Sequence, residues 1–323
     1  MLAYALRRLA YGGVVVLGVL FVLFVLFFTV ATPDDIARQA LGEKARLESI
    51  EQWKANHGYD RPLWPFSGGS FRPDNLLFHH YRTMLGFDFG ASDYDGVPIM
   101  ERMREGAGPS LTLTVPLFLF EMAVAIALAL FVAVFRGTYI DRAGLAATVL
   151  VMSIPIVLMI IGAQYLVAKT LAWFPLSGYD RELELMARFL ALPVLVGAVA
   201  GLGGEVRFLR TVFVEETGRD YVRTARAKGA SEMRVMLRHV LRNSLIPVLT
   251  RTVMQIPFLF TGALLLESFF GIPGLGSLLV DSIRNNDFAT LRVWVFVAAI
   301  LFVIAQIATD LSYALVDPRV RLE

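Results

Sequence analysis

Glu121 interrupts an otherwise uncharged apolar run, LTLTVPLFLFEMAVAIALALFVAVF, from Leu111 to Phe135. A carboxylate midway along such a run is costly enough to count as a functional residue by default. The alternative is that it is protonated, or bonded to a polar group on a neighbouring helix. Ser153, Gln164 and Gln255 lie in other apolar runs and could line a channel with it. Pro155 and Pro257 should kink those same runs, freeing carbonyls that need partners or water. Glu267 and Asp310 fall nearer the ends of their runs, where solvation is expected. Hydrolytic chemistry has no support, because the apolar runs hold no Ser–His, paired Asp or HExxH arrangement.

The second concentration of reactive groups is Tyr221–Thr250, YVRTARAKGASEMRVMLRHVLRNSLIPVLT. Residues Asp220 to Lys228 suit a short helix, with Tyr221, Ala225 and Gly229 on one small face. Gly229 then ends that helix, and Ser231 with Glu232 can open another. In the second helix Met233, Met236, Leu237, Val240 and Leu241 form an apolar stripe beside Arg234, Arg238 and Arg242. Pro247 marks the next apolar run. The charges could set membrane orientation or hold anionic lipid heads. Nucleic acid is not expected, since no stacking aromatics or reader motif accompany them. Only a docking surface for another protein accounts for a small-residue face and a glycine turn set among the charges.

Six apolar segments must position these groups: about Leu9–Ala31, Leu111–Phe135, Leu145–Trp173, Phe189–Gly203, Leu245–Phe270 and Val293–Leu315. A bilayer span needs about 20 such residues. The chain of 323 residues is 56% apolar and only 18% charged, which reads as an integral membrane protein. The fold expected is all-α and polytopic, with six transmembrane helices. Arg7 and Arg8, Arg136 and Arg142, the basic segment, and Arg319 and Arg321 fall on one side if the spans alternate. Both termini are therefore placed in the cytoplasm. The division expected is 1–31 as the amino-terminal segment and first span, 32–110 as an extracytoplasmic loop region, and 111–323 as a five-span core. The cytoplasmic loop of that core runs over about 205–244. Asp34 to Ala55 has helical spacing. With no cysteine, disulfides and Cys-ligated metals are out. The four histidines include only one adjacent pair, His79-His80, and no metal site is expected.

DYVRTARAKGAS followed by HVLRNSLIP closely resembles the cytoplasmic "EAA" loop of permease subunits of ABC importers, in the dipeptide/oligopeptide/nickel branch. Arg223, Thr224, Ala225 and Gly229 occupy the motif positions, so the Glu and first Ala are replaced. LRRL, GYDRPL, GFDFGAS, WFPLSGY, ESFFGIPGLG and DLSYALVDPRVR follow the same family in order, in a "B"-type arrangement. TPDD at Thr32–Asp35 departs from the PGDP-like turn common there. The resemblance implies a type I importer permease in the bacterial inner membrane. Its implied partners are a homologous permease, two ABC ATPases and an extracytoplasmic solute-binding protein. The segment around Gly229 would be the coupling helix, with Asp220, Tyr221, Arg223, Ala225, Arg226, Lys228, Gly229 and Ala230 meeting the ATPase. ATP and Mg would sit in those ATPases, since this chain has no Walker A sequence and needs no cofactor. Short peptides lead as solute, with nickel complexes and sugars also carried by relatives. The rival reading is a proton-coupled secondary transporter using Glu121, which would need a second buried ionisable group.

Overall fold

A computed structural model describes residues 2–30, 32–67 and 70–316. Apolar runs become helices because a helix satisfies its own peptide groups where water cannot. Helix α1 (Leu2–Phe24) widens into a π-helical end over Val25–Val30. Thr32 then caps α2 (Pro33–Leu41) in a capping box with Asp35, with proline in the first turn, so TPDD is a helix start. Next come α3 (Leu47–Asn56), a hairpin of Phe66–Ser67 and Ser70–Phe71, and α4 (Leu76–Leu85). Then follow α5 (Ile99–Val134), α6 (Tyr139–Ser153) and α7 (Ile156–Ala163), the last continuing to Thr170 as a π-helix. Helix α8 (Leu183–Thr217) precedes α9 (Asp220–Ala227) and α10 (Glu232–Arg234). A π-helical stretch, Val235–Val240, leads to α11 (Leu241–Asn243) and α12 (Leu245–Thr261). The chain closes with α13 (Leu264–Phe270), α14 (Leu275–Arg284) and α15 (Phe288–Val316).

Among the described residues, five helical stretches are long and apolar enough to cross a membrane: Arg7–Val30, Ile99–Val134, Leu183–Thr217, Leu245–Phe270 and Phe288–Asp310. The pair α6–α7 is bent by 88° and makes a sixth if taken as one span. Pro155 therefore breaks its run, whereas Pro257 is absorbed within α12. The break in the fifth run falls instead at Gly262, whose φ is +79°. The fourth run is longer than its glycines imply, extending past Gly203 to Thr217. Residues 205–217 are thus helix, and the loop begins after them. Ala31, the DPRVR end and its Arg319 and Arg321 lie outside the described residues.

Two compact units emerge. The first comprises residues up to Ala107 together with Leu278–Ala308. Its core is aromatic: Phe28 meets Tyr59 at 5.3 Å, Phe24 meets Trp64 at 5.4 Å and Phe27 meets Phe288 at 5.7 Å. The loop motifs fasten here. Tyr59 of GYDRPL accepts from Arg292, whose guanidinium lies over the Phe28 ring at 4.7 Å. Ser92 of GFDFGAS donates to Asp287 at 2.6 Å, and Asp93 accepts from the Ala289 amide at 2.9 Å. His80 donates to the Leu20 carbonyl at 3.2 Å, and burial with nearby Arg292 pushes its pKa down to about 3. His80 therefore serves packing and backbone satisfaction.

The second unit spans Gly108–Ser277 and the end of α15. Helices α6 and α8 pack closely because Gly203 has no side chain, and a Cβ there would lie 2.9 Å from the Thr148 carbonyl oxygen. Asp141 accepts from Arg210 through both oxygens at 2.7 Å, locking the same pair of helices. The expectation that Glu267 is solvated is overturned, because it is fully buried. It accepts from Ser110 at 2.8 Å and from the amides of Ala263, Gly276 and Ser277 at 3.0, 2.7 and 3.0 Å. These are backbone donors left over where α12 breaks and α14 begins, so the acid is part of the break. Asp310 is buried as well, with 8% exposure.

Candidate functional site

Helix α9 and the turn after it form one candidate site. Val222 and Ala225 are buried, in a cluster with Ala125, Ala129, Leu209, Phe213 and Met236. Of the small face, Ala225 thus packs into the chain's own core, Tyr221 lies at its edge, and Gly229 stays exposed. This corrects the expectation that Ala225 forms part of a free docking surface: its one-carbon side chain lets α9 sit close to the helical stretch Val235–Val240. Asp220, Arg223, Arg226, Lys228 and Gly229 are exposed, with Tyr221 and Ala230 half-buried. Gly229 has φ +77°, the left-handed conformation that suits glycine, and a Cβ there would meet no atom within 4 Å. The turn is thus held by backbone conformation and not by crowding.

Local pairs brace that turn. Arg226 reaches Glu232 across it at 2.9 and 3.1 Å. Tyr221 donates to Glu216 at the end of α8, and burial together with that carboxylate pushes the phenol up to about 12. Ser231 occupies the position before α10, but its side chain makes no capping bond. The apolar stripe beyond it is also corrected. Val235, Met236 and Val240 are buried, while Met233 and Leu237 are 69% and 50% exposed. The cause is π-helical winding over Val235–Val240, which places residues five apart on one face. Lys228, Arg234, Arg238 and Arg242 make no ion pair among the described residues.

The second candidate site is polar and lies among α5, α8 and α12. Glu121 and Gln255 line one cavity of about 400 Å³ with Glu205, Arg251, Gly201 and Thr114. Arg251 donates to Glu205 Oε1 from Nε and Nη2 at 3.0 and 2.9 Å, and Gln255 donates to the same oxygen at 2.7 Å. Glu121 packs on Gly201, where any Cβ would collide with its carboxylate. Ser153 and Gln164 do not join this site. Ser153 donates to the Val149 carbonyl of its own helix at 2.8 Å. Gln164 donates to the carbonyls of Leu176 and Phe269 at 3.2 and 3.0 Å, serving backbone groups near the helix breaks.

Glu205 and Arg251 are the residues that sequence reasoning misses here. Ending the fourth run at Gly203 puts Glu205 in a loop, whereas α8 carries it inward to 5% exposure. An available signal is the helical spacing of Gly201 and Glu205, four residues apart. Glu205 also supplies the second buried acid that a proton-relay reading of Glu121 lacks.

The comparisons with known proteins bear on which reading holds. Residues 125–322 match the family described as "Binding-protein-dependent transport system inner membrane component", and residues 1–67 match its amino-terminal companion. The chain is 32% identical to a glutathione transport system permease protein, GsiC, of Salmonella choleraesuis, over 99% of each chain. It is likewise 32% identical to that of Pectobacterium atrosepticum, again over 99% of each. Among solved structures it resembles the inward-facing MetNI methionine ABC transporter, with TM-score 0.53 and 17% identity, covering 68% of this chain and 98% of that one. On these grounds the chain belongs to the binding-protein-dependent inner-membrane components, as a multi-pass, non-catalytic ABC importer permease of the dipeptide/oligopeptide/nickel branch.

Proposed function

We propose that this chain forms half of a translocation path for short peptides, paired with a homologous permease above two ABC ATPases. An extracytoplasmic binding protein delivers the solute, both termini face the cytoplasm, and ATP and Mg reside in the ATPases. Support for a peptide solute comes from relatives named for glutathione, itself a short peptide. The observation that carries the coupling role is the tip formed by α9 and the turn after it. Its left-handed Gly229 and exposed Arg223, Arg226 and Lys228 stand on a buried base of Val222 and Ala225. A rigid base with an exposed charged tip can transmit a push from a docked ATPase into α8 and α12. The basic residues outside that contact suit anionic lipid heads.

The test is reconstitution. The chain, a homologous permease, two ATPases and a loaded binding protein should together drive ATP-dependent peptide uptake into liposomes. Uptake by the purified chain alone, without ATPases, would overturn the assignment.

A further inference from the structure

We propose that the cavity among α5, α8 and α12 is a cation subsite for the solute, taking its protonated amino group between Glu205 and Glu121. The inference rests on the peptide reading above and adds a recognition element within the permease itself.

The internal contrast between two carboxylate–guanidinium pairs is the starting point. Asp141 uses both oxygens to hold Arg210, each at 2.7 Å. Glu205 instead receives all three donors, two from Arg251 and one from Gln255, on Oε1. Its Oε2 is buried and accepts no hydrogen bond among the described residues. A carboxylate with one saturated and one bare oxygen, itself 95% buried, is half of a binding site. Arg251 is 45% exposed and so neutralises Glu205 only in part.

Glu121 supplies the other half. No hydrogen bond reaches its carboxylate among the described residues, and it lines the same cavity as Glu205. Two acids sharing one guanidinium leave an excess negative charge when both are ionised. Inside a membrane protein such a charge calls for a cation with several donors. A primary ammonium has three. The cavity of about 400 Å³ has room for more than a bare ion, and glycines 201, 204 and 262 line it without side chains. Peptide-like solutes with a free amino terminus carry such an ammonium at neutral pH, whereas their N-acetylated forms do not.

The experiment compares uptake of a free tripeptide and its N-acetyl form by the complete reconstituted importer, as wild type, Glu205→Gln and Glu121→Gln. The preference for the free amine is read as a ratio, and each variant's ratio is divided by the wild-type ratio, which cancels selection by the binding protein. Loss of one charge-assisted contact corresponds to roughly a tenfold fall in that double ratio. Glutamine keeps an oxygen for Arg251, and Glu121→Gln breaks no hydrogen bond, so at least one variant should assemble. Unchanged double ratios in assembled variants overturn the subsite while leaving the peptide reading intact. Failure of the wild-type importer to take up either form overturns the peptide reading, and the subsite with it.

Discussion

Two motif-bearing regions of this chain use their charges in opposite ways. Around the start of α15, Arg292, Asp287, Ser92 and Tyr59 are all turned inward and bonded to one another or to neighbouring backbone. At the tip of α9, Arg223, Arg226, Lys228 and Gly229 are turned outward, and only the base is buried. In sequence both regions look alike, as short runs mixing glycine, charge and aromatic residues. Burial separates them: a charged group bonded inside the fold, such as Arg292 or Asp287, holds the structure, while one exposed to solvent, even with a local pair such as Arg226–Glu232, is available to a partner.

Substitutions should therefore act on different observables in the two regions. The largest loss of stability is expected from Arg292→Ala, which removes a guanidinium that is 6% exposed and leaves the Tyr59 hydroxyl without its partner. Loss of a buried charged hydrogen bond and its ring contacts costs about 3 kcal/mol. Membrane abundance should fall, and protease should cut residues 32–98 more readily. Normal abundance would show that this region is held by other means.

A smaller effect should follow from pH. His80 in the folded chain titrates at about 3, whereas an unfolded chain protonates near 6.5. The folded pKa is the lower one, so the stability linked to a neutral His80 is fully present above about 6.5 and declines as pH falls below it. Between pH 6.5 and 5 the loss is about 2 kcal/mol, and thermal unfolding in detergent should register it. His80→Gln should flatten that slope; an unchanged slope would assign it to other groups.

The smallest effect on stability belongs to the tip. Arg226 and Glu232 are 42% and 52% exposed, so their pair contributes no more than about 0.5 kcal/mol. Arg226→Ala should leave abundance and thermal unfolding unchanged within that amount while reducing ATPase copurification. A marked drop in stability would move Arg226 into the same class as Arg292.

Much of this was legible in the sequence. The apolar runs locate the long helices, and the spacing around Gly229 places the helix–turn–helix, because a left-handed glycine and a charged tip leave local marks. What was hidden depends on distant packing. Gly201 and Gly203 read as the end of a span, yet each lies where a neighbour comes too close for a side chain, so packing offsets the roughly 1 kcal/mol that glycine costs a helix. With the helix extended, Glu205 becomes a buried residue. Glu267 is similar, since nothing local shows that amides from residues 263, 276 and 277 close around its carboxylate. The stripe after Ser231 shifted because π-helical winding changes the period on which the reading relied.

The most direct test of the account is Gly229→Val in the assembled importer. Its φ of +77° strains a β-branched residue by about 1 kcal/mol or more, with no atom nearby to clash. The account predicts near-normal membrane abundance, weakened ATPase copurification, and loss of both uptake and solute-stimulated hydrolysis. Wild-type uptake and stimulated hydrolysis in that variant would contradict the coupling role of the turn.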